Sequence, residues 1–248
     1  QSIFAVPTAV FPNSVMVKGD SQSLIIFMRK IRKERDVLLL AGVLSLLLPM
    51  LCCASSARKK QDCTYDVLVW NVNKKSSGPI KHVQRSREDL SQQEIDPATG
   101  CTICSEDQVH IGLSPLPSFS ICSKVAAQVR DVFEELLRRG APITSVVGYH
   151  VIKSRGPVDH EGNRTEFSNH SFGTAIDVNP DLNGLYDNCV KFGPECRLLR
   201  GGEWRIGVPG TLQRDSDVVL AFKSAGFRWG GEIEGKQKDF MHFSLTGY

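Results

Sequence analysis

The stretch Ser168-Asn-His170-Ser-Phe-Gly173-Thr-Ala175-Ile-Asp177 decides how the rest of the chain is interpreted. It separates an imidazole and a carboxylate by seven positions, which a continuous strand would place on opposite faces. A turn at Gly173 would let both side chains reach one centre. Taken alone, the same pair also fits an ordinary hydrogen-bonded His and Asp.

A second histidine, His242, lies between apolar residues in the stretch Lys238-Asp-Phe-Met-His-Phe243. A neutral core histidine is the usual interpretation of such a position. Asp239, three residues upstream, adds what a hydrolytic zinc site requires. Such a site has three protein ligands, an open position for water and a nearby carboxylate that is not a ligand. The two stretches together therefore predict a site for one zinc ion.

The joint pattern of residues 168–177 (Ser-x-His-x-x-Gly-x-Ala-x-Asp) and 239–242 (Asp-x-x-His) resembles the signature of the D-alanyl-D-alanine carboxypeptidase and dipeptidase family. That family includes the vancomycin-resistance peptidases and phage L-alanyl-D-glutamate endolysins, and it shares its fold with the Hedgehog signalling domain. The resemblance extends from about Ser120 to Tyr248, and residues 226–231 are similar to the family's segment before the final motif.

The resemblance implies that His170, Asp177 and His242 hold the zinc ion and that Asp239 is the catalytic acid and base. It also implies a substrate, the peptidoglycan stem peptide. Cleavage as a D-alanyl-D-alanine carboxypeptidase is the first choice, with dipeptidase and endopeptidase specificity left open.

The family also uses an Arg upstream of the first motif, whereas this chain has Gly148-Tyr-His150 there. Arg155 is the predicted replacement, as a catalytic and substrate-binding residue, and Arg164 is the second choice. A solvent-exposed Arg without a role in the site is the alternative for both positions.

Three further polar residues lie near the motifs. Ser168 is a candidate for binding substrate or supporting a ligand, and simple capping of a turn is the equal alternative. His150 and His160 are interpreted as bystanders, because three ligands are already assigned.

Hydrophobic periodicity predicts an α+β fold, with a small, mainly antiparallel sheet and flanking helices around the zinc site, as in the Hedgehog and D-Ala-D-Ala peptidase fold. Apolar residues three and four apart predict one helix from Val125 to Leu137 and another over 215–225. The predicted strands are 65–72, 143–152 and 240–245, and the predicted loops are 156–166 and 179–210.

The N-terminal region has the layout of a secretory signal peptide. A basic cluster, 29–35, precedes the uncharged apolar run 37–53. An uncleaved membrane anchor is the alternative, and lipid modification of Cys52 or Cys53 is a third. We expect residues 1–57 to be an upstream segment plus signal peptide or anchor, 58–100 a polar tether with partial order, and 101–248 the zinc peptidase domain. The predicted location is extracytoplasmic: secreted, periplasmic or membrane-anchored.

Six cysteines follow residue 57, and an even number in an exported chain indicates disulfides. Sequence does not choose among the fifteen or so pairings of six cysteines. Cys189 with Cys196 is the favoured local pair. Cys101-Thr-Ile-Cys104 is interpreted as two structural disulfide positions, in preference to a redox or zinc-knuckle motif.

The net charge of +3 is confined to residues 1–57, because the rest of the chain has equal numbers of basic and acidic residues. That balance gives no support to a nucleic-acid partner. Membrane contact is expected only through an uncleaved N-terminal segment, and no pattern indicates an oligomeric state. Two rivals stay open: a Hedgehog-like zinc-containing binding module without catalysis, and a disulfide-rich extracellular domain without metal.

Overall fold

The computed structural model describes residues 62–247, so the predicted signal peptide or anchor of residues 1–57 lies outside the described residues. The described part combines two α-helices with short, mostly antiparallel strands, which confirms the predicted α+β class. No helix within residues 62–247 has the length and hydropathy that a membrane span requires.

The two helices are α1 (Ala126–Arg138) and α2 (Asp217–Ser224), close to the predicted positions. Each presents one apolar stripe to a shared core, since residues three and four apart lie on one helix face. Phe133 of α1 and Phe222 of α2 meet edge to face, with ring centroids 5.4 Å apart. The other buried members of the two stripes are Val129, Leu136, Val218 and Val219.

The strands form four small sheets. The strands are β1 (Asp62–Asn71), β2 (Ser76–Ser77), β3 (Lys81–Ser86), β4 (Gln108–Ile111), β5 (Phe119–Cys122), β6 (Val146–Val147), β7 (Val151–Val158), β8 (Arg164–Phe167), β9 (Ala175–Val178), β10 (Leu185–Asp187), β11 (Arg197–Arg200), β12 (Arg228–Trp229), β13 (Lys238–Asp239) and β14 (His242–Ser244). Their orders in the sheets are β2-β1-β7-β8 with β3 also on β1, β12-β14-β9-β6, β11-β10-β13, and β4-β5. Among these pairs only β1 and β7 are parallel.

Residues 62–100 carry more regular structure than the partly ordered tether predicted for 58–100. β1 buries Tyr65 and Val67 and pairs with β3 on one side and β7 on the other. β3 is polar and largely exposed, so it has no hydrophobic alternation from which a strand could be predicted. The predicted domain boundary near residue 100 stays a prediction.

The predicted strand over residues 143–152 is divided in two. β6 belongs to the sheet of β9, whereas β7 belongs to the sheet of β1 and extends into the predicted loop 156–166. The chain changes sheets at Gly148, where a Cβ would lie 2.2 Å from the Ser120 carbonyl oxygen. The predicted long loop 179–210 likewise contains two strands, β10 and β11.

Three disulfides are present among the described cysteines. The predicted Cys189–Cys196 pair is confirmed. Cys101 and Cys104 do not pair with each other but bond to Cys122 and Cys63, respectively. Their predicted structural role is thus confirmed, and the Cys63–Cys104 bond fixes β1 to the segment that precedes β4.

Candidate metal centre and active site

Two of the predicted ligands, Asp177 in β9 and His242 in β14, lie directly opposite each other on neighbouring strands. Opposed residues of an antiparallel pair place their side chains on the same face. His242 Nδ1 accordingly lies 3.0 Å from Asp177 Oδ1. The register of one strand pair is therefore sufficient to bring these two side chains together.

The third predicted ligand, His170, belongs to a short 3-10 helix, Asn169–Phe172. Gly173 ends this helix in the left-handed conformation, with φ of 64°. A Cβ at this position would lie 2.1 Å from Gln108 Oε1 and 2.5 Å from the Cys122 backbone nitrogen. Both the backbone conformation and the lack of space require glycine here. The predicted turn at Gly173 is therefore confirmed.

The atoms of these three side chains that could bind a metal form a nearly equilateral triangle. His170 Nε2 is 3.1 Å from both Asp177 Oδ1 and His242 Nδ1, and the third edge is 3.0 Å. Tetrahedral zinc with bonds of about 2.0–2.1 Å separates its ligand atoms by about 3.3 Å. The triangle therefore fits one face of such a site, although two imidazoles and a carboxylate also suit other divalent ions.

The backbone of Gly148 sets the tautomer of His170. His170 Nδ1 lies 2.9 Å from the Gly148 carbonyl oxygen, an acceptor, so this nitrogen donates its proton there. In the neutral ring, Nε2 then carries the lone pair, and it faces Asp177 and His242. A backbone carbonyl holding the outer nitrogen is the arrangement by which proteins orient a metal-binding histidine.

The charges of the three side chains are strongly coupled. Burial raises the pKa of Asp177, but the positive charge of His170 and hydrogen bonds from both histidines outweigh burial and hold this pKa well below its usual range. Burial lowers the pKa of His170, yet the Asp177 charge makes the net shift upward. For His242 burial prevails, and its pKa is lowered. The charges of His170 and Asp177 therefore stabilise each other in the metal-free centre, and binding of a cation there would release protons.

Asp239 lies outside the triangle, at the end of β13. Burial raises its pKa well above the usual range, the Asp177 charge raises it further, and the positive charges of His170 and Arg200 oppose these effects. Its Oδ1 atom is buried and has no hydrogen-bond partner among the described residues. Within residues 62–247, no other group therefore competes for this oxygen.

Arg155, the predicted substrate-binding Arg, is close to the centre. Its guanidinium donates a hydrogen bond to Asn169 Oδ1, next to His170, and its positive charge contributes to the lowered pKa of His242. Arg164, the second choice, instead donates to the Gly156 carbonyl oxygen.

Ser168 is buried, with its hydroxyl 3.3 Å from that of Ser171. Its side chain makes no capping hydrogen bond with the 3-10 helix that follows. The catalytic and substrate-binding roles assigned to Arg155, Ser168 and Asp239 stay predictions.

Two further residues lie near the centre. The His150 ring packs 4.6 Å from the His170 ring, and the interpretation of His150 as a bystander stays a prediction. Sequence reasoning does not identify Arg200, whose charge acts on Asp239, because its segment contains no motif. The Gly-Tyr-His segment at 148–150 was the available signal for His150, while Arg200 had none. His160, the other expected bystander, is exposed and lies beside Glu161, outside the triangle.

Comparison with known proteins agrees with this arrangement. A family model described as D-alanyl-D-alanine carboxypeptidase matches residues 161–245, a stretch that contains His170, Asp177, Asp239 and His242. Neither the curated proteins nor the solved structures contain a match. The resemblance of the paired motifs is therefore confirmed: over residues 161–245 this chain is similar to the D-alanyl-D-alanine carboxypeptidase family.

Proposed function

We propose that this protein is a zinc-dependent peptidase that cleaves peptidoglycan stem peptides, as a D-alanyl-D-alanine carboxypeptidase. The observation that carries the proposal is Asp239, a carboxylate with an unpartnered buried oxygen beside the His170, Asp177 and His242 group. A hydrolytic zinc site needs this combination of three ligands and one separate base. The match to a peptidase family supports the same conclusion.

His170 Nε2, Asp177 Oδ1 and His242 Nδ1 would hold the ion. Zinc in such a site supplies Lewis-acid polarisation of the scissile carbonyl and activation of water. Asp239 then performs the proton transfers. Its carboxylate accepts a proton from the attacking water as the new C–O bond forms, and it delivers this proton to the amine nitrogen as the C–N bond breaks.

Arg155 provides a positive charge near the centre, held next to His170 in the chain through Asn169. Asn169 accepts a hydrogen bond from its guanidinium, and Asn169 Nδ2 itself donates to Ser244 Oγ at 2.6 Å and to the Gly247 carbonyl oxygen. This chain of contacts restrains the guanidinium before substrate arrives. We propose that Arg155 stabilises the negative charge that develops on the carbonyl oxygen.

The proposed location is outside the cytoplasm, where peptidoglycan is found. Three disulfides among the described residues support it, because structural disulfides form and persist in oxidising compartments. The signal peptide or anchor predicted for residues 1–57 is part of this proposal.

The test uses purified full-length protein loaded with zinc and an N-acylated peptide that ends in D-alanyl-D-alanine. Asp239→Asn is expected to lower kcat by at least about 100-fold, the usual contribution of a general base, while bound zinc stays at one ion per chain. Asp131→Asn, at an exposed position of α1, is the matched control and should be fully active. Mass analysis of the products from defined muropeptides identifies the bond that is cut.

The results separate the rival functions. Zinc bound at one equivalent without hydrolysis of any muropeptide would favour the Hedgehog-like binding module. Absence of zinc from the purified protein would favour a disulfide-stabilised domain without metal. Undiminished hydrolysis by Asp239→Asn would remove Asp239 from the mechanism.

A further inference from the structure

Arg200 and Asp239 lie on the same face of one small sheet. In the order β11-β10-β13, both residues are register partners of Leu185, Arg200 from one side and Asp239 from the other, with a β-bulge between the Leu185 and Tyr186 pairs on the Arg200 side. Directly opposed residues share a face, and strands are about 4.8 Å apart, so the two Cα atoms are about 10 Å from each other. An Arg side chain spans most of that separation.

The Arg200 guanidinium has no anionic partner within residues 62–247, in contrast to three other arginines of the stretch 197–214. Arg197, Arg205 and Arg214 each form a salt bridge, with Asp187, Glu203 and Glu232, respectively. Arg200 is exposed, and its charge acts on both Asp239 and His150. An exposed cation without an anionic partner among the described residues is therefore close enough to the proposed acid to act on its charge.

The proposed reaction defines which substrate group comes to this side. Asp239 delivers its proton to the departing amine nitrogen, so this nitrogen must lie beside Asp239. In a C-terminal residue, the carboxylate carbon is separated from this nitrogen by two bonds, of about 1.46 and 1.52 Å, and so lies about 2.5 Å from it. A free C-terminal carboxylate would thus lie close to Asp239, on the face of the sheet that Arg200 shares. In an internal peptide bond, a neutral amide would occupy the same position.

We infer that Arg200 binds the free C-terminal carboxylate of the departing residue and is the residue that makes cleavage depend on a free chain end. This inference rests on the proposed carboxypeptidase function and names a specificity-determining residue for it. Arginine suits this task because its guanidinium donates two parallel hydrogen bonds to a carboxylate. Arg155, held by Asn169, is the residue proposed for the carbonyl oxygen, so the two arginines have different roles.

The experiment compares one N-acylated D-alanyl-D-alanine peptide as the free acid and as the C-terminal amide. For wild-type protein loaded with zinc, kcat/KM is expected to be about 10- to 100-fold higher for the acid, the range for a hydrogen bond to a charged group. Arg200→Gln should remove this preference, mainly through a higher KM for the acid, with little change for the amide. Arg200→Lys should retain part of it.

The matched control is Arg197→Gln, on the same strand. The Arg197 charge is already paired with Asp187, so this variant should keep the preference for the acid. An unchanged acid preference in Arg200→Gln would overturn the inference and leave the proposed carboxypeptidase function intact. Equal cleavage of acid and amide by wild-type protein would overturn the inference and the carboxypeptidase specificity together, leaving only the coarser peptidase proposal.

Binding is measured separately by calorimetry, with Asp239→Asn protein and with the Asp239→Asn, Arg200→Gln double variant. If the acid binds more tightly than the amide, and the double variant loses this difference, the inference is supported even if no peptide is hydrolysed. In that case only the proposed function fails. Acid and amide binding that is equal in both proteins contradicts the inference without reference to turnover.

Discussion

The indole ring of Trp204 stacks on the phenyl ring of Phe240, with centroids 4.1 Å apart and planes within 5° of parallel. Trp204 belongs to the segment predicted as a long loop, and Phe240 lies between Asp239 and His242 in the chain. The indole Nε1 also donates to the Leu212 carbonyl oxygen at 2.7 Å. The long segment thus fixes the short stretch that carries the proposed acid and one proposed ligand.

Trp204→Ala is expected to lower the free energy of unfolding by about 2 kcal/mol, less than for a fully buried Trp because this side chain is only partly buried. Thermal unfolding should occur about 4–8 °C lower. Activity should fall by about tenfold or more, because small displacements of a catalytic group are costly. Trp204→Phe keeps an aromatic ring against Phe240 and should retain most of the stability and most of the activity. A fully active Trp204→Ala protein would show that Asp239 is positioned without this contact.

Arg155→Gln is expected to lower kcat/KM by about 10- to 100-fold, since it removes a charge next to the proposed reaction centre. Zinc content should be unchanged, because Arg155 is not among the proposed ligands. Steady-state kinetics and metal analysis of the same preparation measure both effects. Arg164→Gln is the control, since Arg164 donates to Gly156 and not to Asn169. Equal losses in the two variants would argue against a specific role for Arg155.

Removal of the metal should destabilise the protein as well as inactivate it. Free zinc at 100 times its Kd stabilises a folded protein by about 2.7 kcal/mol, so a chelator should lower the unfolding temperature measurably. His170→Ala and His242→Ala should lose both zinc binding and the response to chelator, whereas His160→Ala, at an exposed position, should keep them. A retained zinc equivalent in His170→Ala would mean that the ion binds elsewhere.

Stability of the metal-free protein should depend on His150 in mildly acidic solution. Burial and the neighbouring His170 charge lower the His150 pKa from 6.5 to about 4. Between about pH 4 and pH 6.5 the unfolded chain binds a proton at this residue that the folded protein does not, so stability falls as the pH is lowered through this window. The loss reaches about 3 kcal/mol at most, and none arises above about pH 6.5.

Urea unfolding at pH 7 and pH 4.5, with chelator present, measures this loss. His150→Gln should show a smaller loss than the wild-type protein between the two pH values, whereas His160→Gln should behave as wild type. The difference between the losses of wild-type and His150→Gln protein cancels the contribution of other acidic groups. It also cancels any packing defect that is equal at both pH values. Identical losses in all three proteins would indicate that His150 titrates normally.

Much of the fold and the grouping of the predicted ligands could be predicted from sequence because the determining patterns are local. Apolar residues at helical spacing mark α1 and α2, and Gly173 marks the turn that lets His170 approach Asp177. The Cys189–Cys196 pair is similarly local. In each case a few neighbouring residues limit the backbone to one conformation.

The features that were missed depend on pairing between distant segments. Arg200 comes near Asp239 only through the register of β11, β10 and β13, and none of these short strands has an alternating apolar pattern. The parallel pairing of β1 with β7 joins segments about eighty residues apart and leaves no local signal. His150 comes against His170 because the chain changes sheets at Gly148, which is also a consequence of tertiary contacts.

The pairing of β7 with β1 and β8 limits how this protein can be divided for expression or fusion. The stretch similar to the known family begins at residue 161, after both His150 and Arg155. A fragment cut there would keep the three proposed ligands but lose Gly148, whose carbonyl orients His170, and would leave the β8 edge unpaired. The smallest transferable unit should therefore begin at or before Asp62 and retain the Cys63–Cys104 bond.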